Sequence, residues 1–242
     1  MNYTKDELIV LPITLLIIIS ISLILYLLLR KKNDKIKNIP LACIAILVVA
    51  LEITKQYLSL KSGTYSFWSL PLHFCSLFLF FFPLATLIPS KKIKTFASTM
   101  SLVCSLWMTV LFYIDPRTII ASASSDIFGS FHNFHTFTYH HLVILYLFLG
   151  ILLNQFIISK RFYLHVFIGI TSYALVAIPL AHLFQINFCN ILYSNIPLME
   201  SLRVNYGQVI YTIVLYLAGL MGGLITCLVY RKIKSIKGGE KR

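Results

Sequence analysis

The sequence predicts an all-α, polytopic membrane protein with seven transmembrane helices, its N-terminus outside and its C-terminus in the cytoplasm. The first observation is composition: of 242 residues, 58% are apolar and only 12% charged, and the mean hydropathy is +0.84. Such values lie far outside the range of soluble domains. The second observation is a series of apolar segments of about 20 residues, the length that crosses a bilayer. The third is that basic residues alternate from loop to loop.

Seven apolar segments follow one another along the chain. They cover most of its length, so we expect a single seven-helix transmembrane domain over residues 1–242, with a short basic tail at 231–242. We expect the first segment to be retained, because it lacks the positive leader and the small-residue cleavage site of a signal peptide. The segments are Leu8–Leu29, Ile39–Leu60, Ser69–Ile88, Phe96–Ile114, Phe137–Ile158, Tyr163–Phe184 and Gln208–Tyr230.

The alternation of basic residues predicts the orientation. The side that holds the tail carries sixteen lysines and arginines, whereas the other side carries four. Cytoplasmic loops are the basic ones, and this distribution also accounts for the net charge of +13 without a nucleic-acid partner. We expect a multi-pass protein of the plasma membrane whose cytoplasmic loops contact anionic lipid headgroups. The four residues on the outer side are Lys5, Lys61, Arg117 and Arg203.

The five cysteines do not form a disulfide framework. Three of them, Cys43, Cys104 and Cys227, lie inside predicted helices, while Cys189 is alone in an outer loop. Cys75 is near the outer end of the third predicted helix. No two exposed cysteines share a compartment, so we expect five free thiols.

A group of polar residues at one depth marks the candidate site. Ionisable side chains are expensive in hydrocarbon, so a cluster of them suggests function. We expect Glu52, His73, Cys75 and at least one of His140 and His141 to converge on one outward-opening pocket where the second, third and fifth predicted helices meet. The full group of polar residues at this depth is Glu52, His73, Cys75, His132, His135, His140 and His141.

Glu52 admits two interpretations. It lies three residues before Lys55 and therefore on the same face of a helix, which predicts a neutralising ion pair. Alternatively, Glu52 orients a histidine or binds a polar group of a ligand. The sequence leaves both interpretations open.

Cys75 needs a base from another helix if it is a nucleophile. In an α-helix, residues two apart point about 200° from each other, so His73 and Cys75 would not face the same partner. The fifth predicted helix supplies histidines in the run FHNFHTFTYHHL, at positions 131–142. Within it, His140 and His141 are expected at a depth similar to that of Cys75.

These residues admit three functions: metal binding, nucleophilic catalysis and solute transport. Helical zinc sites favour histidine pairs four residues apart, a spacing that His132, His135, His140 and His141 lack, so we predict no metal and no cofactor. A cysteine thiolate beside a base is a strong nucleophile, and in a membrane its natural intermediate is an acyl thioester. The alternative is a binding or transport protein for a small polar or anionic solute. The few polar residues in the inner halves of the helices disfavour transport.

One segment resembles a known family. LPLHFCSL at Leu70–Leu77, with Glu52 before it and His140–Leu145 after it, resembles the signature of the YwaF-like bacterial integral membrane proteins. These are related to the eukaryotic transmembrane protein 164 family, described as phospholipid acyltransferases with a catalytic cysteine. The resemblance implies that Cys75 is the acyl acceptor and His140 its partner, although the doubled His140–His141 leaves that choice open. The predicted function is therefore a lipid acyltransferase or transacylase, in which Glu52 or His73 orients the base.

Overall fold

The computed structural model describes residues 5–120 and 126–239, and within these ranges the regular structure is helical. Six helices, α1, α2, α4, α6, α7 and α9, are long and apolar enough to cross a membrane, which confirms a membrane protein. The α-helices are α1 Lys5–Leu29, α2 Asp34–Lys61, α3 Phe78–Thr86, α4 Lys91–Ile114, α5 Pro116–Ile120, α6 Phe131–Leu152, α7 Phe162–Phe184, α8 Pro197–Tyr206 and α9 Gln208–Gly239. Short 3₁₀ helices cover Phe67–Ser69, Phe74–Leu77 and Phe188–Asn190.

The helices form two compact units. The first unit comprises Met1–Tyr65 and Phe78–Ile157; in it, α4 packs against α3 and α6, and α2 packs against the same two helices. The second comprises Ser66–Leu77 and Ile158–Arg242, with α7 and α8 packed on α9. A buried cluster in the second unit joins α7 to the 3₁₀ helix that follows it. The single domain expected over residues 1–242 stays a prediction.

The third predicted segment, Ser69–Ile88, is not a continuous helix. Its α-helical part is α3, and the whole apolar helix spans Phe74–Thr86, which is shorter than the roughly 20 residues of a standard span. Pro71 has no N–H to donate to a helical ladder, and the carbonyl of Leu72 accepts instead from the hydroxyl of Tyr173 at 2.7 Å. The expectation that His73 and Cys75 share one α-helix was therefore wrong, whereas the depth of Cys75 in the membrane stays a prediction.

The fifth predicted helix begins six residues earlier than the hydropathy indicates. α6 starts at Phe131 because the side chain of Ser130 accepts a hydrogen bond from the Asn133 N–H at 3.1 Å, the usual arrangement of a helix N-cap. The helix ends at Leu152, just before Asn154 adopts a left-handed conformation with φ of 57°. All four histidines of the FHNFHTFTYHHL run consequently lie on α6.

Close packing at the end of α6 leads to a stability prediction. A Cβ on Gly150 would lie 2.4 Å from Cε2 of Phe156, whose side chain is only 2% exposed. Overpacking of this kind costs about 1–3 kcal/mol, so we expect Gly150→Ala to lower the free energy of unfolding by that amount in detergent. A Cβ on Gly219 meets only ordinary contacts, at 3.7 Å from Ile170, so Gly219→Ala should not destabilise the protein. Unchanged stability of Gly150→Ala would contradict the packing.

Candidate functional site

Glu52 is the centre of a polar cluster in the first unit. Its Oε1 atom lies 2.7 Å from the Lys55 Nζ and accepts a hydrogen bond of 2.7 Å from the Gln56 Nε2. Its Oε2 atom lies 3.1 Å from the Nε2 of His135 on α6. The carboxylate therefore pairs with Lys55 on its own helix, as their spacing predicts, and also contacts His135 on α6. A functional role of Glu52 stays a prediction.

His135 is deeply buried and incompletely partnered. Its side chain is 7% exposed, and that of Glu52 is 9% exposed. The Nε2 of His135 lies within ion-pair distance of the Glu52 carboxylate, but the two groups are not aligned for a hydrogen bond. Among the described residues, neither ring nitrogen of His135 has a hydrogen-bond partner. The His135 ring thus lies buried beside the Glu52 carboxylate, with its two nitrogens enclosed by the first unit.

His140 and His141 differ in which ring nitrogen is engaged. The Nδ1 of His140 lies 2.6 Å from the carbonyl of Thr136, and the Nδ1 of His141 lies 2.7 Å from the carbonyl of Phe137. A carbonyl only accepts, so each neutral ring is protonated at Nδ1 and basic at Nε2. The Nε2 of His141 is 3.0 Å from the hydroxyl of Thr14, whose single proton is shared between this contact and the Leu11 carbonyl, also at 3.0 Å. His140 is therefore the better placed of the two to act as a base through Nε2.

His132 lies at the exposed start of α6, beside a groove in the first unit. The groove has a volume of about 520 Å³ and is formed by the C-terminal end of α2, the chain after it and the first residues of α6. Lys55, which pairs with Glu52, reaches this groove as well, so the buried cluster and the surface are connected through one side chain. The lining residues are Lys55, Leu58, Ser59, Lys61, Ser62, Thr64, Phe131 and His132.

The second unit holds the other two candidate residues. Cys75 is partly exposed and lies in the 3₁₀ helix Phe74–Leu77. His73 precedes this helix, and its Nε2 lies 3.0 Å from the carbonyl of Trp68, to which it can only donate. Its ring packs between Trp68 and Phe188, with centroid distances of 4.6 and 5.2 Å. These contacts give His73 a positioning role in the segment that carries Cys75.

Cys189 lies near Cys75 in the same unit. Burial raises the pKa of the Cys189 thiol to about 11, the neighbouring Tyr173 side chain opposes that shift, and the charge of a Cys75 thiolate raises the pKa further. Cys189 is therefore a neutral thiol at physiological pH and a poor nucleophile. Among the described cysteines, Cys43 is exposed, while Cys104 and Cys227 are buried.

The candidate residues are thus found in two groups. The first unit holds Glu52 and the four histidines of α6, whereas the second holds His73 and Cys75; their convergence on one pocket stays a prediction. Sequence reasoning missed Thr14 and Gln56, since a single threonine or glutamine in an apolar helix gives no signal of its partner. Within residues 5–120 and 126–239, no group of three histidine, cysteine or acidic side chains is arranged to hold a metal ion.

Comparison with known proteins places this chain in a family. The family model of the TMEM164 family matches residues 3–229, nearly the whole chain and both compact units. Neither the curated proteins nor the solved structures contain a match. Because this match covers nearly the whole chain and six helices are apolar enough to cross a bilayer, the chain is a membrane protein that belongs to the TMEM164 family.

Proposed function

We propose that this protein is a lipid acyltransferase or transacylase of a bacterial plasma membrane, with Cys75 as the acyl acceptor. The observation that carries the proposal is a partly exposed thiol in the 3₁₀ turn Phe74–Leu77 that opens the apolar helix Phe74–Thr86, in a chain of the TMEM164 family. Its neighbour Cys189 has a raised pKa and is a weaker candidate. The LPLHFCSL signature, which resembles that of the YwaF-like bacterial proteins, supports the same residue.

The chemistry has two half-reactions. A base takes the proton of the Cys75 thiol, and the sulfur attacks the carbonyl carbon of a donor ester; the ester C–O bond then breaks, and the leaving alkoxide takes the proton back from the base. In the second half, the base deprotonates the acceptor hydroxyl, which attacks the thioester carbon and breaks the C–S bond. The Cys75 sulfur leaves as a thiol, because the base returns to it the proton taken from the acceptor hydroxyl. Electrons and protons balance without any cofactor.

His140 is the proposed base. Its Nδ1 is directed at the Thr136 carbonyl, which favours the tautomer with a basic Nε2, whereas the Nε2 of His141 already faces Thr14. The proposal requires the Cys75 sulfur to come within about 3–5 Å of that nitrogen during reaction, the reach of a proton transfer in a site that tightens on substrate binding.

The charge distribution supports a seven-crossing topology. Lys61 ends α2 on the poorly basic side, whereas Lys91 opens α4 on the strongly basic side. The chain between them must therefore cross the membrane if cytoplasmic loops are the basic ones, and Phe74–Thr86 is the apolar helix in that interval. This topology puts the N-terminus outside and Cys75 in the outer half of the membrane.

Trapping of the acyl-enzyme tests the proposal. Purified protein supplied with a phospholipid that bears a clickable acyl chain should become labelled, and neutral hydroxylamine should remove the label, since it cleaves thioesters. We expect Cys75→Ala to abolish this label and Cys75→Ser to remove its hydroxylamine sensitivity. Cys43→Ala is the matched control because Cys43 is more exposed than Cys75 and should not alter labelling. Equal labelling of wild type and Cys75→Ala would exclude Cys75 from the mechanism.

A further inference from the structure

The groove at the C-terminal end of α2 has the composition of an anion site. Two of its eight lining residues are lysines and one is a histidine, while three others, Ser59, Ser62 and Thr64, carry hydroxyl groups. No aspartate or glutamate is among the described residues that line it. Ammonium and hydroxyl groups are the side-chain donors that bind phosphate oxygens.

The two lysines have different neighbours. Lys55 forms its ion pair with Glu52, which lies below the groove at a Nζ–Oε1 distance of 2.7 Å. Lys61 is exposed at the end of α2 and makes no ion pair with any described residue. The charges of Lys55 and Glu52 cancel, so Lys61 leaves the lysines and the carboxylate of this region with one net positive charge. That charge matches the single negative charge of a phosphodiester.

The volume of the groove indicates the size of the ligand. The groove is open to the surface, and its volume of about 520 Å³ leaves room for more than an inorganic anion. Apolar side chains line the groove too, namely Leu58 and Phe131. Phosphate oxygens can thus face the lysines while the carbon part of the same molecule contacts these two residues.

We propose that this groove binds the phosphate group of a ligand, with Lys61 and His132 as its direct partners and Lys55 as the link to the buried cluster. Under the proposed topology the groove opens on the outer face of the membrane, where the ligand is a phospholipid headgroup or free phosphate. Binding is linked to the interior because an anion that attracts Lys55 competes with Glu52 for it and changes the field at His135. The site itself does not depend on Cys75; only its role as a substrate site rests on the proposed function.

The test uses full-length protein in a phosphorus-free maltoside detergent at constant ionic strength. Three ligands are titrated below their micellar concentrations while the melting temperature is followed: dihexanoylphosphatidylglycerol, inorganic phosphate and dihexanoylglycerol, which lacks phosphate. We expect the phosphate-bearing lipid to raise the melting temperature and dihexanoylglycerol to leave it unchanged. A response to the lipid alone assigns the headgroup as ligand, whereas an equal response to inorganic phosphate assigns free phosphate; either result supports the site.

Variants of the groove decide the outcome. Loss of one charge-assisted contact should weaken apparent affinity about tenfold, so we expect this weakening for Lys61→Gln and recovery for Lys61→Arg. His132→Gln should also weaken binding. Lys92→Gln, which removes an exposed lysine at the start of α4, is the control and should bind as wild type does. Wild-type affinity in Lys61→Gln, or an equal response to dihexanoylglycerol, would overturn the proposal.

The result is separable from that of the acyl-trapping experiment. Cys75→Ala removes the proposed acyl acceptor but none of the groove residues, so this variant should bind the phosphate-bearing lipid with wild-type affinity. If acyl labelling fails while this binding persists, the proposed function falls and the anion site stands. If Lys61→Gln binds normally while acyl labelling depends on Cys75, the opposite conclusion follows.

Discussion

Replacement of His140 by asparagine is expected to lower the rate of acyl transfer by about 10²- to 10⁴-fold, the usual contribution of a general base. Asparagine keeps a side-chain N–H that can still donate to the Thr136 carbonyl, the present partner of Nδ1 at 2.6 Å. It provides no basic nitrogen in place of Nε2. The loss should therefore appear in the chemical step, measured as single-turnover decay of the acyl donor, with little change in the melting temperature.

His141→Asn is the matched comparison, since the two residues are neighbours with the same backbone contact pattern. This variant loses the contact between Nε2 and the Thr14 hydroxyl, at 3.0 Å in the wild type. A net hydrogen bond is worth about 1 kcal/mol, so we expect a lower melting temperature and a much smaller loss of rate than in His140→Asn. A larger rate loss in His141→Asn would assign the base to His141 instead.

Glu52→Leu is expected to cost about 3–5 kcal/mol of folding free energy, because removing one partner of a buried ion pair leaves the other uncompensated. The carboxylate side chain is 9% exposed and pairs with a Lys55 side chain that is 19% exposed. His135 would lose its charged neighbour at 3.1 Å as well. Chemical unfolding in detergent measures the effect.

The double variant Glu52→Leu/Lys55→Leu provides the internal control. Replacing both members of a buried pair by apolar residues is often close to neutral, so we expect it to recover much of the stability that Glu52→Leu loses. Glu200→Gln serves as an external control, since Glu200 pairs with Arg203 at a more exposed position and surface pairs contribute little. If both Glu52 variants were as stable as wild type, the cluster would have no structural role.

Hydropathy predicted the long helices because their apolar runs are continuous. It failed where polar contacts determine where a helix begins or is interrupted. The start of α6 was misplaced because its first six residues contain two histidines and an asparagine, and the cap at Ser130 is a local hydrogen bond that an apolar window ignores. The third segment is apolar enough for a span. It is nevertheless broken, owing to Pro71 and to a hydroxyl from Tyr173, about one hundred positions away.

The candidate site shows the same division between local and distant information. The pairing of Glu52 with Lys55 follows from their spacing of three on one helix. The contact of Glu52 with His135, and that of His141 with Thr14 over 127 positions, depend on how separate helices pack. Sequence spacing says nothing about either contact. The choice between His140 and His141 therefore stayed open in the sequence, whereas their partners in the structure make them different.

The short apolar helix Phe74–Thr86 also has a consequence for the thickness of the surrounding bilayer. Thirteen helical residues extend about 20 Å at 1.5 Å per residue, some 10 Å less than a hydrocarbon core of about 30 Å. A bilayer becomes locally thinner around a hydrophobic segment that is too short to span it. Under the proposed topology, such thinning lowers the glycerol ester bonds of the outer leaflet toward the level of Cys75, so that the mismatch itself would bring the scissile bond to the thiol.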